Sequence, residues 1–283
     1  MRANYSWSLP RTSIALGKRT AVMGILNVTP DSFSDGGAYL EPSKAVARGL
    51  ELQSLGADIL DVGGESSRPG SVTVSEDDEL QRVLPVIDAL AREIRIPISV
   101  DTYRSAVARR ALDGGAQIVN DISAFRFDAE MANVVRTYRA GVVLMHSRGT
   151  REALHLQPPM HDAVAEVKTD LERAVKKAIE AGIPRAAIVV DPGIGFGKRA
   201  EESLAVLRNV GVLSPLECPV LVGTSRKSFI RKIAGIASER PYDARWGTAA
   251  TVAVARIQGA HIVRVHDVQE MRTLVDVLDS IVE

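Results

Sequence analysis

Polar residues able to bind a ligand recur where short apolar runs end. Asn27, Asp101, Asn120 and Asp191 end such runs, and Lys227 follows another. A carboxylate accepts two parallel N–H bonds, while an amide and a lysine can satisfy ring nitrogens and a carbonyl oxygen. The set therefore suits a flat, neutral heterocycle with mixed donors and acceptors, such as one with an amino-pyrimidinone edge.

Arg264 and His266 are two residues apart in a run of hydrophobic residues. The two-residue period of a strand places both on one face, where they suit an anion such as phosphate. Each of these polar residues also has a simpler interpretation, since a strand-end Asp or Asn most often caps the following turn. Several of them at the same ends favour a binding site.

Two loops rich in Gly, Pro, Ser and Asp, residues 29–37 and 63–70, follow the first two apolar runs. They contain Phe33, Asp35 and Arg68, which are costly to expose or order without a purpose. Simple surface loops are the alternative. We interpret both as active-site lids, because they leave the same end of the predicted sheet.

Other motifs give weaker indications of function. The stretch from Gly193 to Lys198 is glycine-rich, but its spacing matches neither nucleotide-binding loop, and we expect it to form a wall with Phe196 at its tip. His155 and His161 have no carboxylates at metal-ligand spacing and are predicted to be solvated loop residues. No serine lies in the context of a catalytic triad.

Eight β-branched runs alternate with longer helical patterns along the chain. They lie at Ala21–Val28, Ala57–Gly64, Pro97–Thr102, Gln117–Ser123, Gly141–His146, Ala186–Gly193, Pro219–Ser225 and Ala260–Val268. Their nearly continuous hydrophobic interiors are typical of parallel strands that are covered on both faces.

Two of the helical patterns carry clear end signals. The helix predicted at Ala163–Ala181 has Asp162 as its N-cap and Gly182 at its end. A second helix begins after Ser75, which forms a capping box with Asp78.

Eight strand–helix alternations predict an α/β fold, the (β/α)₈ TIM barrel, with an open doubly wound sheet as the alternative. No linker or low-complexity segment divides the chain, so one domain is predicted. Residues 1–20 form an N-terminal cap or hairpin of that domain, and residues 21–283 form the barrel.

Composition excludes several classes of protein. The chain has 283 residues, with 35 basic and 35 acidic ones, so no basic excess favours nucleic acid. No apolar run approaches the ~20 residues that span a membrane, and the N-terminus has no signal-peptide core. Cys218 is the only cysteine, which fits a reducing compartment. A cytoplasmic protein without nucleic-acid or membrane partners is expected.

Several motifs, in order, resemble those of dihydropteroate synthases. They are GILNVTPDSFSDGG at 24–37, GGESSRPG at 63–70, DPGIGFGK at 191–198, GTSRKS at 223–228 and RVHD at 264–267. The resemblance covers roughly residues 20 to 280, and the fold of that family is the (β/α)₈ barrel. Ser67 stands where some members carry Thr, which keeps the hydroxyl group.

The resemblance implies that (7,8-dihydropterin-6-yl)methyl diphosphate is joined to 4-aminobenzoate, giving 7,8-dihydropteroate and diphosphate in folate synthesis. It also implies a site for each group. The pterin would meet Asp101, Asn120, Met145, Asp191, Gly223 and Lys227. The diphosphate would meet Asn27, Arg264 and His266, and the aminobenzoate would meet Phe33, Ser67, Pro69, Phe196, Lys227 and Ser228, with its carboxylate towards a helix N-terminus.

The mechanism implied is dissociative. Asp35 would stabilise the methylene cation and Arg68 would order the lid or hold diphosphate, while Lys227, Arg264 and His266 complete the catalytic set. Mg²⁺ would bridge the diphosphate to Asn27, binding mainly to substrate oxygens. The family also implies a homodimer through helices late in the barrel, and a sulfonamide target. Pterin-dependent methyltransferases of corrinoid systems and a non-catalytic pterin-binding paralogue are the alternatives.

Overall fold

Eight parallel strands form the frame of the molecule. The computed structural model describes residues 2–29, 42–66, 71, 73–154, 156–237 and 243–282. A two-stranded antiparallel hairpin, β1 (Tyr5–Ser8) and β2 (Ser13–Leu16), precedes the frame. The parallel strands are β3 (Ala21–Asn27), β4 (Ile59–Gly63), β5 (Ile98–Asp101), β6 (Ile118–Asp121), β7 (Gly141–Met145), β8 (Ile188–Asp191), β9 (Leu221–Val222) and β10 (Ile262–Val265).

The sheet closes on itself. Its strand order is β8-β7-β6-β5-β4-β3-β10-β9, and a parallel bridge from Val190 to Val220 joins the two ends. At that seam the Val190 N–H donates to the Pro219 carbonyl oxygen at 3.0 Å. The predicted (β/α)₈ barrel is therefore confirmed, and the open doubly wound sheet is excluded.

Helices cover the outside of the barrel. Those of the described residues are α1 (Pro42–Ser54), α2 (Glu76–Glu93), α3 (Ser105–Asp113), α4 (Met131–Tyr138), α5 (Ala163–Glu180), α6 (Ala200–Arg208), α7 (Ser228–Ile233), α8 (Ala244–Ile257) and α9 (Val268–Val282). Two 3₁₀ helices, Arg185–Ala187 and Val210–Leu216, lie before β8 and after α6. In the described part of the chain, no helix is both long and apolar enough to cross a membrane.

The N-caps predicted at Asp162 and Ser75 are confirmed, whereas the capping box predicted for Ser75 and Asp78 forms only in part. The Asp162 side chain accepts hydrogen bonds from the N–H groups of Val164 and Ala165 at the start of α5. The Ser75 hydroxyl accepts from the Asp78 N–H at the start of α2, and it donates to the Asp78 carboxylate at 2.7 Å, where a full capping box would have the Ser75 backbone N–H as the donor. The helix α5 ends one residue earlier than predicted, and Gly182 lies just beyond it with a φ of +89°.

Most predicted strands are longer than the observed ones. The run predicted at Pro219–Ser225 contains only a two-residue strand, Leu221–Val222, and Ala260–Val268 contains only Ile262–Val265. Some flanking residues, such as Val220 and Thr224, are β-branched, but they lie outside the paired ladder. Composition alone does not show where the neighbouring strand stops.

Alternation along the strands separates two cores. Outward residues such as Val142 and Leu144 pack beneath the helices, whereas inward residues form a smaller cluster at one end of the barrel. That inner cluster contains Trp7, Leu9 and Leu16 of the hairpin region, with Ala21, Met23, Ile59, Ile118, Val143, Val189, Leu221 and Ile262 of the strands. Two residues further along each strand, the next inward position must face the centre of the barrel.

Candidate active site

The inward layer above the apolar cluster is polar and charged. Period-2 alternation from Ile59, Ile118, Val189 and Ile262 leads to four polar side chains, Asp61, Asn120, Asp191 and Arg264. Ser99 and Asp101 occupy the corresponding face of β5, and Met145 that of β7. The barrel therefore presents carboxylates, an amide and a guanidinium where its strands end, the location of active sites in this fold.

Arg264 links two carboxylates inside this layer. Its Nε donates to Asp61 Oδ2 and its Nη2 donates to Asp101 Oδ2, both at 2.6 Å. Asp61 Oδ2 also accepts from Asn120 Nδ2 at 3.1 Å. The amide of Asn120 is thus oriented by Asp61, with its nitrogen held and its oxygen turned the other way.

Burial shifts the titration of these groups. It raises the pKa of Asp101 to about 7, although Arg264 opposes the shift. Burial works against the charge of Arg264, but Asp61 and Asp101 outweigh it and raise the pKa of the guanidinium. Burial also raises the pKa of Asp191, against the attraction of Lys227 and the hydrogen bond from Gly193 N–H at 2.7 Å. Strongly shifted carboxylates in a cleft are typical of functional sites.

Lys227 projects into the same region from the loop after β9. Its Nζ donates to the Ile194 carbonyl oxygen and lies 4.2 Å from the centre of the Phe196 ring. Burial lowers the pKa of Lys227 to about 7, and the nearby Asp191 carboxylate opposes that shift. The predicted wall residue Phe196 therefore lies beside Lys227, as a cation–π partner.

His266 and Asn27 lie at neighbouring strand ends. His266 Nδ1 is 2.9 Å from Ser225 Oγ, and this hydroxyl oxygen also accepts from the His266 backbone N–H at 3.2 Å. The Ser225 hydroxyl therefore engages Nδ1 of the ring in either tautomer, as donor or as acceptor, and Nε2 is the other ring nitrogen. Asn27 ends β3, in register with Gly63 of β4.

The described side chains offer little to a magnesium ion. Among the described residues, no three His, Cys, Asp or Glu side chains are grouped so that they could hold a metal ion. Asn27 offers one amide oxygen, whereas Mg²⁺ takes six oxygen ligands and keeps waters or phosphates among them. The described residues therefore fit a magnesium ion that arrives with a diphosphate, and do not fit one held by their carboxylates.

Part of the predicted aminobenzoate site is described. Ser228 is exposed at the first position of α7, next to Lys227. Gly223, which was predicted for the pterin site, faces Arg264. A Cβ at Gly223 would meet the Arg264 side chain at 3.7 Å, an ordinary contact. Five predicted residues, Phe33, Asp35, Ser67, Arg68 and Pro69, lie outside the described residues.

Two strand-end residues do not face the layer. The Asp121 carboxylate accepts from Ser123 N–H, Ser123 Oγ and Phe125 N–H, so for this residue the turn-capping interpretation is right. His146 contacts Lys198 Nζ through its Nδ1 at 2.8 Å. Alternation explains both, because Asn120 and Met145 occupy the inward positions immediately before them.

Sequence reasoning missed Asp61. Its side chain is fully buried in β4 and contacts both Arg264 and Asn120. The signal was present, since a carboxylate interrupts the apolar run Ile59–Gly63 at an inward position. It also missed Glu65, in the described part of the second loop, which accepts from Arg104 and Arg151 at 2.8 Å each.

Comparison with known proteins agrees with this geometry. The sequence profile of the pterin binding enzymes matches residues 23–266. Dihydropteroate synthase of Bacillus subtilis is 43% identical over 269 residues, which cover 95% of this chain and 91% of the relative. That of Synechocystis sp. is 45% identical over 265 residues, covering 94% and 91%.

Solved structures show the same barrel. Dihydropteroate synthase of Xanthomonas albilineans with 4-aminobenzoic acid has a TM-score of 0.91 and 39% identity, covering 99% of this chain and 98% of that one. The same enzyme in complex with 7,8-dihydropteroate has a TM-score of 0.84, covering 94% and 95%. Closed barrel, polar inner layer and profile together define a pterin-binding enzyme. Given the identity and coverage of its relatives, the chain belongs to the dihydropteroate synthase family.

Proposed function

We propose that this enzyme joins (7,8-dihydropterin-6-yl)methyl diphosphate to 4-aminobenzoate, releasing diphosphate and forming 7,8-dihydropteroate for folate biosynthesis. The observation that carries the proposal is the inward layer of Asp101, Asn120, Asp191 and Arg264, with Lys227 above it, in a chain of this family. These groups offer the acceptors and donors that a pterin edge requires.

Pterin recognition follows from the orientation of the polar groups. The Asp191 carboxylate would accept the paired N–H groups of the pterin edge, and its charge strengthens those bonds. Asn120 would present its oxygen, because Asp61 holds its nitrogen at 3.1 Å. The buried Met145 would pack on the ring, and the absence of a side chain at Gly223 leaves the wall beside Arg264 flat.

The leaving diphosphate would meet Arg264 and His266. Arg264 is held by Asp61 and Asp101 at 2.6 Å each, so it would act as a fixed positive charge rather than a mobile one. A preorganised charge stabilises developing negative charge without reorganisation in the transition state. His266 would donate from Nε2, since Ser225 accounts for Nδ1.

Magnesium is part of this proposal. Asn27 would be its ligand from the protein, and diphosphate oxygens and water would supply the others. When bound, the ion would neutralise charge on the departing oxygens. The residues of the chain would hold and orient the pterin, exclude water and receive the aminobenzoate.

The reaction would be dissociative. The C–O bond to diphosphate breaks first, the diphosphate keeps the electron pair, and the amine of aminobenzoate then forms the C–N bond and loses a proton. This order avoids dependence on a weak nucleophile whose lone pair is delocalised into its ring. Asp35 would stabilise the methylene cation and Arg68 would order the second loop; Lys227, Phe196 and Ser228 would border the aminobenzoate.

Diphosphate release tests the proposal. The purified enzyme is given the pterin diphosphate, with and without 4-aminobenzoate and Mg²⁺, and both diphosphate and dihydropteroate are measured. Magnesium-dependent release coupled to dihydropteroate supports the synthase. Pterin binding without either product would instead support a methyltransferase or a non-catalytic paralogue, and would overturn the proposal.

We also propose that the enzyme is a homodimer through α8 and α9. Ile257 of α8 is 56% exposed, and Val277 and Ile281 of α9 are 55% and 72% exposed. The two helices contact each other, and exposed apolar side chains on neighbouring helices are consistent with a protein interface. Light scattering should give twice the chain mass, and Ile281→Asp should shift it to the monomer. Leu156→Asp, at a site that is 81% exposed outside these helices, is the control; a monomeric parent protein would contradict the proposal.

We propose a cytoplasmic location as well, supported by the single cysteine, Cys218, which is buried. Fractionation of the native host with an antibody against the enzyme tests it. Recovery in an exported or membrane fraction would contradict this location.

A further inference from the structure

The glycine-rich turn from Gly193 to Lys198 is closed by its own lysine. Lys198 Nζ donates to the carbonyl oxygens of Gly193 at 2.8 Å and Phe196 at 3.2 Å. It also contacts His146 at the end of β7, with the carbonyl oxygen at 3.3 Å and Nδ1 at 2.8 Å. The lysine therefore joins both ends of the turn to the neighbouring strand, and it does not extend towards a ligand.

His146 completes this arrangement. Burial lowers the pKa of His146 to about 4, so the ring is neutral near pH 7 and Nδ1 can accept from the Lys198 ammonium. The ring hydrogen is then on Nε2, which lies 3.4 Å from the Asp170 carboxylate of α5. Burial also lowers the pKa of Lys198, and Asp191 opposes the loss of charge. All four atoms around Nζ can act as acceptors, as a donor-only ammonium requires.

The turn that Lys198 closes carries the surroundings of Lys227. The Ile194 carbonyl oxygen accepts from Lys227 Nζ, and the Phe196 ring lies 4.2 Å from that same atom. At its start, the Gly193 N–H donates to Asp191 Oδ1 at 2.7 Å. Displacement of the turn would therefore move an acceptor and a ring away from Lys227 and remove a donor from Asp191.

We propose that Lys198, held by His146, is a positioning residue that fixes the Gly193–Lys198 turn and through it the Lys227 ammonium. The inference rests on the proposed function, because it assigns Lys198 an effect on the binding site without contact to either substrate. This role gives a structural reason for the glycines and the lysine of the turn. Phosphate binding gives no such reason.

Lys198→Met tests this directly, since it keeps an unbranched side chain that is one atom shorter and removes its donors. We expect kcat/KM for 4-aminobenzoate to fall about tenfold or more, which corresponds to the loss of one coupled interaction. Lys176→Met, at an exposed lysine on α5, is the matched control and should leave kcat/KM unchanged. Unchanged kcat/KM in Lys198→Met would overturn the proposal.

The second test uses His146. Asn at this position keeps a side-chain acceptor close to that of Nδ1, whereas Leu removes it. His146→Asn should retain most of the activity that His146→Leu loses. Equal losses in the two variants, with folding intact by circular dichroism, would show that packing rather than the acceptor matters, and would contradict the proposal.

A double-mutant cycle identifies the route of the effect. If Lys198 acts through Lys227, adding Lys198→Met to Lys227→Met should lower kcat/KM less than twofold further, because residues in one network are not additive. Fully multiplicative losses would show that Lys198 acts independently of Lys227 and would refute the proposed role.

Hydrogen exchange provides a readout that does not depend on activity. In the turn, the Phe196 N–H is bonded to the Gly193 carbonyl oxygen at 3.0 Å, and the Gly195 N–H to Ser203 Oγ at 3.2 Å. Lys198→Met should accelerate exchange in residues 193–197 selectively. If the enzyme failed to form dihydropteroate but this acceleration were found, the proposed function would fail while the positioning role stood. Unaltered exchange would contradict the positioning role.

Discussion

Burial of the charged inward layer of the barrel opposes folding. Asp61 is fully buried, with two donors on its Oδ2 and none on its Oδ1 within the described residues. Buried ions lose hydration that their pairing only partly restores, so apolar residues of similar size would often be as stable. A layer of this kind is consistent with selection for ligand binding, because stability alone gives no reason to keep it.

Asp191 provides the most direct test at a single residue. Asp191→Asn keeps the shape of the side chain and the acceptor for Gly193 N–H, but removes the charge. Because hydrogen bonds to a charged group contribute about 1.5–3 kcal/mol, the dissociation constant of a dihydropterin should rise by roughly 10- to 100-fold. Isothermal calorimetry measures it directly.

The control for this prediction is Asp162→Asn. Asp162 is exposed and caps α5 through the N–H groups of Val164 and Ala165, and Asn is an equally good N-cap. Its pterin affinity should match that of the parent enzyme. An unchanged affinity in Asp191→Asn would remove Asp191 from the pterin site.

Lys227 predicts how stability changes with pH. Its pKa is about 7 in the folded enzyme, compared with an ordinary value of 10.5. Between these values the unfolded chain binds more protons than the folded one, so this lysine makes stability rise with pH. Below pH 7 it is charged in both states, and its contribution is constant.

Urea denaturation at pH 7, 8 and 9 measures this effect when the enzyme is compared with Lys227→Met. The free energy of unfolding of the parent enzyme minus that of the variant should increase by up to ~1.4 kcal/mol per pH unit. Parallel pH profiles for the two proteins would mean that Lys227 keeps its ordinary pKa in the folded state.

Sequence predicted the types of site residue better than their partners. Asp101, Asn120, Asp191 and Arg264 were expected in the barrel, and the structure places all four on inward positions. That Arg264 bridges Asp61 and Asp101 could not be read from sequence, because β10 is far from β4 and β5 in the chain and comes near them only through its pairing with β3 in the folded sheet. Pairing across a closed sheet is a tertiary property.

At the scale of the elements, the existence of each strand was predictable and its end was not. Hydrophobic runs mark strands that are covered on both faces, but a strand ends where its neighbour stops pairing. The shortest, β9, pairs with β10 over only two residues. Gly223 and the residues after it leave the sheet there, which brings Lys227 over the open end of the barrel.

The turn after β8 depends on a backbone that only glycine adopts readily. Gly193 has a φ of +63°, and a Cβ there would lie 1.9 Å from the His146 carbonyl oxygen. Gly235 has a φ of +65° with nothing within 4 Å of its Cβ position. This pair of glycines separates the effect of backbone conformation from that of the close approach.

Gly235→Ala should lower the free energy of unfolding by about 1 kcal/mol, because alanine is strained in the left-handed conformation. Gly193→Ala adds a collision with fixed backbone, so it should lose a further ~2 kcal/mol or more. It should also lower kcat/KM, because the turn carries Phe196. Equal losses in unfolding free energy for the two variants would show that the His146 carbonyl group, just after β7, moves aside without a cost in stability.

At the scale of the whole molecule, the N-terminal hairpin completes the barrel. Trp7, Leu9 and Leu16 pack against the inward residues of the strands at the end opposite the charged layer. The Trp7 ring is fully buried and its Nε1 donates to the Ala187 carbonyl oxygen at 2.9 Å. A Cβ at Gly141 would lie 2.4 Å from Leu9, so the start of β7 leaves room for this region.

Trp7 should therefore be a larger source of stability than any single residue of the open end. Trp7→Ala removes a fully buried ring from a closed cluster and should lower the free energy of unfolding by ~3–5 kcal/mol. Trp246 is 78% exposed, and Trp246→Ala should change it by less than about 0.5 kcal/mol. Urea unfolding measures both variants. Because the apolar cluster lies beneath the charged layer, partial opening of the hairpin should also weaken pterin binding. A Trp7→Ala enzyme as stable as the Trp246→Ala enzyme would show that the barrel closes without its hairpin.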